Sequence, residues 1–379
     1  MKSQRCYILC AALLLIVVAG SVLLLQVQKP QKLRATARST FYARKSLEIE
    51  IGKLEQVLLN NGSSAQRAGL QDKRDQARRL EKQYNDLIKK LGIYAKASPE
   101  DRVIMRVARS FGECELDMPK RFPGQVKHYI AQWKSSDRLK KALALAEQKG
   151  YTRLIVNILR ENKVAPQFFF VALQESDFDN RAVGPATGFG RAKGLWQFMA
   201  PTAKDAGLDT GRRYKPGYDR LDERFDPVKS TIAASNYIKS LSDTKAQGSG
   251  LLVLALYNME GTVQKIIDQM PPDPRERNFW RLLSRDDIPK PVYDYVFSIV
   301  AAAVICEDPK LFGFDCNCPA FAGNDLLREK VAYPLREQPI ARADILSDLP
   351  LLRIAGEWSR KPAGSNLGPI KFAVFLTSL

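Results

Sequence analysis

A glutamate closes the most apolar helix that the sequence predicts. Residues 164–178 read VAPQFFFVALQESDF, and Pro166 suits a helix start because the N–H it lacks would have no partner there. Glu175 shares a face with Val171 and Ala172, so its carboxylate is costly to ionise and its pKa should rise. That environment suits a general acid at neutral pH. A solvated last residue of a core helix is the alternative interpretation.

Composition narrows the chemistry that is available. The 379 residues include a single histidine, His128, which argues against a Ser-His-Asp or Cys-His hydrolase and against a histidine-ligated metal site. Two of the six cysteines, Cys316 and Cys318, are too closely spaced for a zinc knuckle, although Cys306 could pair with either in an oxidising compartment. We therefore predict no metal and no cofactor, and catalysis by carboxylates, lysines or hydroxyls.

The balance of charge favours an anionic partner. Lys and Arg number 59 against 41 Asp and Glu, which gives a net charge of +18. Lipid headgroups, an acidic wall polymer or nucleic acid would suit this surplus, and so would a general role in solubility. The sequence has no zinc-finger spacing and no basic block beside stacking aromatic residues, so no nucleic-acid partner is predicted.

The N-terminus predicts a membrane anchor at residues 1–28. Residues 7–27 form an uncharged run about as long as a bilayer-spanning helix, and longer than the core of a cleavable signal peptide. Basic residues lie on both sides of this run. Those after it, Lys29 and Lys32 among them, would alone favour a cytoplasmic location for the rest of the chain.

The remaining chain divides into three predicted regions. Residues 40–97 carry two apolar stripes at helical spacing around a turn signal at 60–64, which predicts a helical hairpin or coiled-coil stalk. Residues 98–320 keep helical periodicity without strand alternation, with helix starts at Ser98-Pro99 and Asp226-Pro227. Residues 321–379 form a small irregular region with a candidate strand at 370–376. The predicted fold class is mainly α.

Three separated motifs carry a resemblance to a known family. Residues 174–178 read QESDF, residues 194–199 read GLWQFM and residues 254–261 read LALYNMEG. In this order they resemble the motifs of the family 1 lytic transglycosylases, which have a goose-lysozyme-like helical fold, and within that family the membrane-bound D type. The resemblance extends over roughly residues 120–320 and includes the acidic loop at 222–227.

The resemblance implies cleavage of the β-1,4 bond between N-acetylmuramic acid and N-acetylglucosamine in peptidoglycan. Glu175 matches the family's single catalytic glutamate, which protonates the glycosidic oxygen and then, as a base, helps the muramoyl 6-hydroxyl form a 1,6-anhydro end. No second carboxylate is needed, unlike in ordinary glycosidases.

The same resemblance implies a set of substrate-binding residues. Gln197 matches a residue that binds an N-acetyl or hydroxyl group, with Phe198 and Met199 expected to shape an apolar sugar shelf, while Trp196 reads as core. The remaining matches are expected to line the cleft or orient the acid, and they are Ser176, Tyr257, Asn258 and Tyr295.

The sequence departs from the family pattern around the cleft. Pro291 replaces the glutamate of the family's Glu-Thr-x-x-Tyr-Val stretch, the Tyr-Asn motif is shortened at 257–261, and residues 186–193 include about four extra positions. These departures leave two alternatives open. One is a hydrolytic lysozyme that activates water with Asp177 or Asp179, and the other is a non-catalytic, wall-binding scaffold.

A peptidoglycan substrate would place residues 28–379 in the periplasm, despite the charge bias. The expected partners are then glycan strands, the inner membrane through the N-terminal helix, and an envelope or secretion complex. The sequence thus predicts a single-pass inner-membrane enzyme.

Overall fold

The computed structural model describes residues 30–55, 57–58, 64–211, 216–316 and 318–319. Within these ranges the regular structure is helical, and β-pairing is limited to isolated bridges such as the one between Val183 and Lys193. The prediction of a mainly α fold is confirmed.

The helices are numbered in chain order, and the first, α1, covers residues 30–55. The others are α2 (Ser64–Leu91), α3 (Ile93–Lys96), α4 (Pro99–Ser110), α5 (Phe122–Lys134), α6 (Arg138–Gln148), α7 (Tyr151–Glu161), α8 (Phe169–Ser176), α9 (Ala200–Asp205), α10 (Pro227–Thr244), α11 (Gly250–Ile267), α12 (Phe279–Leu283) and α13 (Lys290–Glu307). Short 3-10 turns occur at Glu115–Asp117, Pro166–Phe168 and Glu223–Phe225.

Side-chain caps fix the starts of the helices that frame the core. The Ser98 hydroxyl accepts a hydrogen bond from the Asp101 N–H at 3.1 Å at the start of α4. The Asp226 carboxylate accepts from the N–H of Val228 at 2.8 Å at the start of α10. Both predicted helix starts are therefore confirmed.

Helix α13 lies at the centre of the helical body. It packs against α4, α5, α8 and α11, and its residues 299–306 are all buried. The first half of α11, residues 250–258, is buried as well. Because these two buried segments, 299–306 and 250–258, are almost wholly apolar, they require neighbours all round. Of the two helices, α13 also packs against α8.

The predicted hairpin is present as α1 and α2, but it does not extend away from the helical body as a stalk. Phe41 of α1 and Tyr84 of α2 form one buried cluster with Cys114 and Leu116 of the body. The Tyr84 hydroxyl also donates to the Glu115 carboxylate at 2.8 Å. The apolar faces of α1 and α2 are covered partly by each other and partly by Cys114 and Leu116, so the hairpin docks onto the body.

Several sequence predictions concern residues that the structure does not describe. They are the membrane anchor at 1–28, most of the turn at 60–64 and the C-terminal region 321–379 with its candidate strand. Among the helices of the described residues, none combines the length and apolar character needed to cross a bilayer.

Candidate active site

Glu175 lies in the last turn of α8, at the point where the chain reverses. Asp177 caps this helix in the left-handed region with φ at 50°, and Phe178 follows with φ at 64°. The Asp177 carboxylate accepts a hydrogen bond from Arg138 at 2.8 Å, which holds the reversal in place. Because α8 is buried up to Leu173, the glutamate emerges at the edge of the core.

The carboxyl group of Glu175 receives a hydrogen bond from helix α13. The Tyr295 hydroxyl donates to Glu175 Oε1 at 2.6 Å. The residue is half-buried, and the dense protein around its carboxyl raises the pKa of Glu175 to about 7, while the Tyr295 hydrogen bond acts in the opposite direction by stabilising the carboxylate. A carboxyl with this pKa exchanges its proton near neutral pH.

Helix α13 supplies a second contact to the end of α8. The Ser298 hydroxyl, one turn after Tyr295, donates to Gln174 Oε1 at 2.9 Å. Burial and the neighbouring Glu175 raise the pKa of Tyr295 well above its usual value, so the phenol stays a proton donor. Two adjacent residues of α8 are thus fixed by two residues of α13 that share a face.

The loop at 194–199 passes beside the glutamate because Gly194 permits a close approach. Gly194 has φ at 78°, and a Cβ there would collide with the carbonyl oxygen of Arg224. Trp196 is fully buried and its indole N–H donates to the Thr231 hydroxyl at 3.0 Å. The interpretation of Trp196 as a core residue is therefore confirmed.

Ser176 joins this loop to α8. Its hydroxyl lies 3.1 Å from the Ala172 carbonyl oxygen and 2.9 Å from the Leu195 carbonyl oxygen, and it can donate to either. A hydroxyl has a single proton, which these two acceptors share. The contacts favour the expected role in orienting Glu175 over a direct bond to substrate.

The side chains of Gln197, Phe198 and Met199 point into the protein. Phe198 and Met199 have 0% and 1% of their surface exposed, so neither presents a face to a sugar. The expectation of an apolar shelf made by these two side chains is wrong, because they complete the core under the loop. The Gln197 amide donates to the carbonyl oxygens of Gly194 at 2.8 Å and Ala182 at 3.3 Å, which fixes the loop.

Tyr257 and Asn258 approach the same region from α11. The Tyr257 hydroxyl donates to the Trp196 carbonyl at 2.9 Å, and the Glu175 carboxylate contributes to raising the pKa of this buried phenol. Asn258 is also buried, and its Oδ1 has no hydrogen-bond partner among the described residues. The helix is kinked immediately afterwards, at Met259, where φ is −142° and ψ is 64°.

One buried ionic group was not predicted from the sequence. The Asp222 carboxylate accepts from Arg224 at 2.7 Å and from Lys193 at 3.2 Å, and all three residues are buried. Arg224 also donates to the Phe198 carbonyl at 3.0 Å, which ties the acidic loop to the 194–199 loop. The acidic loop, which includes Arg224, was visible as a motif, but Lys193 lies 29 positions before Asp222, too far along the chain for spacing to reveal the contact.

The extra positions at 186–193 form a hydrogen-bonded turn. The Thr187 N–H donates to the Gly190 carbonyl at 2.9 Å, and Phe189 at the tip is exposed. The tip of this segment therefore lies at the surface, while its last residue, Lys193, is buried. The described residues contain no group of three His, Cys, Asp or Glu side chains that could hold a metal ion.

Comparison with known proteins gives a concordant result. Residues 154–273 match the family model described as "Transglycosylase SLT domain". Over 164 residues the chain is 29% identical to the membrane-bound lytic murein transglycosylase D of Escherichia coli strain K12, and equally to that of E. coli O6:H1 strain CFT073. Each match covers 43% of this chain and 33% of the relative, so the chain spans about a third of their length. The match to the SLT domain model includes Glu175, Gln197 and Tyr257.

Proposed function

We propose that this chain is a peptidoglycan lytic transglycosylase that uses Glu175 as its only acid and base. The observation that carries the proposal is the carboxyl of Glu175, whose pKa is raised to about 7 and which receives a hydrogen bond from Tyr295 at 2.6 Å. Near neutral pH a large fraction of this carboxyl is protonated and ready to donate.

The proposed reaction needs no water. Glu175 donates its proton to the glycosidic oxygen, and the bond between that oxygen and the anomeric carbon of N-acetylmuramic acid breaks. The resulting carboxylate then takes the proton of the muramoyl 6-hydroxyl, whose oxygen bonds to the anomeric carbon. The products are a 1,6-anhydro end and a free N-acetylglucosamine end. Glu175 regains its proton, so atoms and charge balance.

The described residues include one group that stabilises the ionised acid and one that could bind the substrate. The Tyr295 phenol donates to the carboxylate and stabilises it between the two proton transfers. Asn258 Oδ1 lacks a donor, and the amide N–H of an N-acetyl group is the kind of donor that it would accept after a small adjustment of the cleft.

A hydrolytic mechanism would require a second carboxylate to activate water. The two candidates are already engaged, since Asp177 binds Arg138 at 2.8 Å and Asp179 accepts from the Arg181 N–H at 2.9 Å. This favours the lytic reaction over hydrolysis. The intact pair of Glu175 and Tyr295 favours catalysis over a scaffold role, even though Pro291 replaces the family glutamate.

We also propose that the protein is anchored in the inner membrane by residues 1–28, with its SLT domain in the periplasm. The name of the matched relative describes that protein as membrane-bound. The net charge of +18 suits an acidic wall or a membrane surface. An envelope or secretion complex is the partner class that we propose beyond the glycan itself.

The test incubates the full-length protein with purified sacculi and analyses the released muropeptides by mass spectrometry, beside a Glu175→Gln variant. We expect anhydro-ended products from the wild type and none from the variant. Products heavier by one water would identify a hydrolase. Absence of release by a folded wild-type protein would identify a scaffold.

A further inference from the structure

Three cysteine thiols lie near the C-terminal end of α13. Tyr295, which contacts Glu175, lies near the other end of this helix. Cys306 lies in the last turn of α13 and is buried, and Cys316 and Cys318 pack against the same core. The Sγ atoms of Cys316 and Cys318 are 2.6 Å apart, and both thiols lie close enough to Cys306 to contribute to raising its pKa. All three are free cysteines.

The chain returns to α13 through contacts that do not depend on the thiols. The Gly313 N–H donates to the Lys310 carbonyl at 3.1 Å, and the Phe314 N–H donates to the Pro309 carbonyl at 2.8 Å. Phe312 is buried in the core, which holds this turn against the helices. These contacts bring residues 316 and 318 back to the core that contains Cys306 without any help from the thiols.

We propose that Cys306 forms a disulfide with one thiol of the Cys316/Cys318 pair, and that the remaining thiol serves as its internal exchange partner. The bond would fasten the chain that follows α13 to the same helix that carries Tyr295. This site goes beyond the proposed glycan cleavage and does not depend on it.

The chemistry requires a disulfide oxidant, such as oxidised glutathione or a dithiol oxidase. Hydrogen bonding from Cys306 lowers the pKa of Cys316 to about 6, so Cys316 is the thiol that reacts first at neutral pH. Its thiolate attacks the oxidant's disulfide and releases one oxidant thiol. Cys306 then displaces the second oxidant thiol as its own proton leaves, so the protein loses two electrons and two protons and the oxidant gains them.

A bond between Cys316 and Cys318 is the competing product. Only one residue separates them, so such a bond closes a tight ring and forces strained geometry. A bond from Cys306 instead closes a loop that the fold has already formed. Any Cys316–Cys318 disulfide that forms first is open to attack by the Cys306 thiol, which lies close to both sulfur atoms.

The sequence offers a direct readout of the pairing. Trypsin cleaves after Arg285, Lys310 and Arg328, which places Cys306 in peptide 286–310 and both other thiols in peptide 311–328. After incubation of the full-length protein with oxidised glutathione, we expect these two peptides to appear as one linked species that separates on reduction. Two unlinked peptides would overturn the proposal, whether both stay reduced or peptide 311–328 carries an internal disulfide.

Matched serine variants sharpen the result. Cys306→Ser should abolish the linked species, and Cys316→Ser and Cys318→Ser should each retain it, because either thiol can serve as the partner. Cys114→Ser is the control, since Cys114 is buried in the hairpin cluster and should not affect the link. A linked species that survives Cys306→Ser, or that is lost in Cys114→Ser, would contradict the assignment. The readout does not involve catalytic activity, so it stands or falls separately from the proposed function.

Discussion

The described part of the chain contains two glutamates, Glu175 and Glu113, whose pKa burial raises to about 7 in both cases. They differ in what surrounds them. Glu113 is 1% exposed and accepts from the Ser249 hydroxyl and, at 3.3 Å, from the Leu251 N–H. Glu175 is half-buried and accepts from Tyr295. A raised pKa therefore reports burial, and access to substrate decides which acid can work.

Glu113 belongs to the contact between the hairpin and the body. Lys45 of α1 is buried beside it and donates to the Gly248 carbonyl at 2.8 Å, just before α11 begins. Gly112 and Gly248 have φ values of 83° and 74°, and a Cβ at either would collide with the Lys45 side chain. The lysine occupies a space that the two glycines leave open, so the hairpin is an integral part of the fold.

The largest effect expected from this comparison is on catalysis. Glu175→Gln should lower the rate of muropeptide release by about a thousandfold, because the amide cannot transfer a proton. Glu113→Gln should leave the rate per folded molecule unchanged. Its thermal midpoint should fall, because the new amide group adds a donor among groups that already donate, namely the Ser249 hydroxyl and the Leu251 N–H.

Initial rates on sacculi and thermal unfolding, measured on both variants, check this prediction. Equal losses of rate in the two folded variants would contradict the assignment of Glu175 as the catalytic acid.

The second effect is on stability and depends on pH. Because the folded pKa of Glu113 lies above the ordinary glutamate value of 4.5, its contribution favours the folded state below about pH 4.5 and is lost as pH rises towards 7. Lys45→Met removes the charge that partly offsets this loss. We expect a larger cost at about pH 8 than near pH 5.5, where Glu113 is protonated.

Urea unfolding at the two pH values measures the difference. Lys53→Met, at an exposed position of the same helix, is the control and should change little at either pH. A cost for Lys45→Met that is equal at both pH values would mean that Glu113 is not the group involved.

The smallest effect is a shift in the pH profile. Tyr295→Phe removes the hydrogen bond that lowers the pKa of Glu175, so the pKa should rise further and the alkaline limb of the rate profile should move up by about one pH unit. Ser298→Ala, which removes the bond to Gln174, is the matched control and should cost about 1 kcal/mol of stability without moving the limb. If the alkaline limb of Tyr295→Phe is unchanged, the Tyr295 hydroxyl does not tune the pKa of Glu175.

Some elements could be predicted because their causes are local. The cap residues Ser98 and Asp226 predicted the starts of α4 and α10, since a short polar side chain before a proline satisfies the first N–H groups of a helix. The apolar run before Glu175 likewise predicted a buried helix, α8, with the glutamate near its end. The stalk was mispredicted because periodicity shows that a face is apolar but not what covers it. The sugar shelf was implied by the family resemblance, and matching motif residues do not show which way the side chains of Phe198 and Met199 point.

The sequence by itself determined that the chain is helical and that an acid sits at the end of a buried helix, because both follow from the spacing of neighbouring residues. Only the tertiary structure decided which groups meet that acid. Tyr295 reaches Glu175 across 120 positions and Lys45 reaches Gly248 across 203. Such contacts depend on how helices pack, and packing is set by shape and burial across the whole core, which no local pattern records.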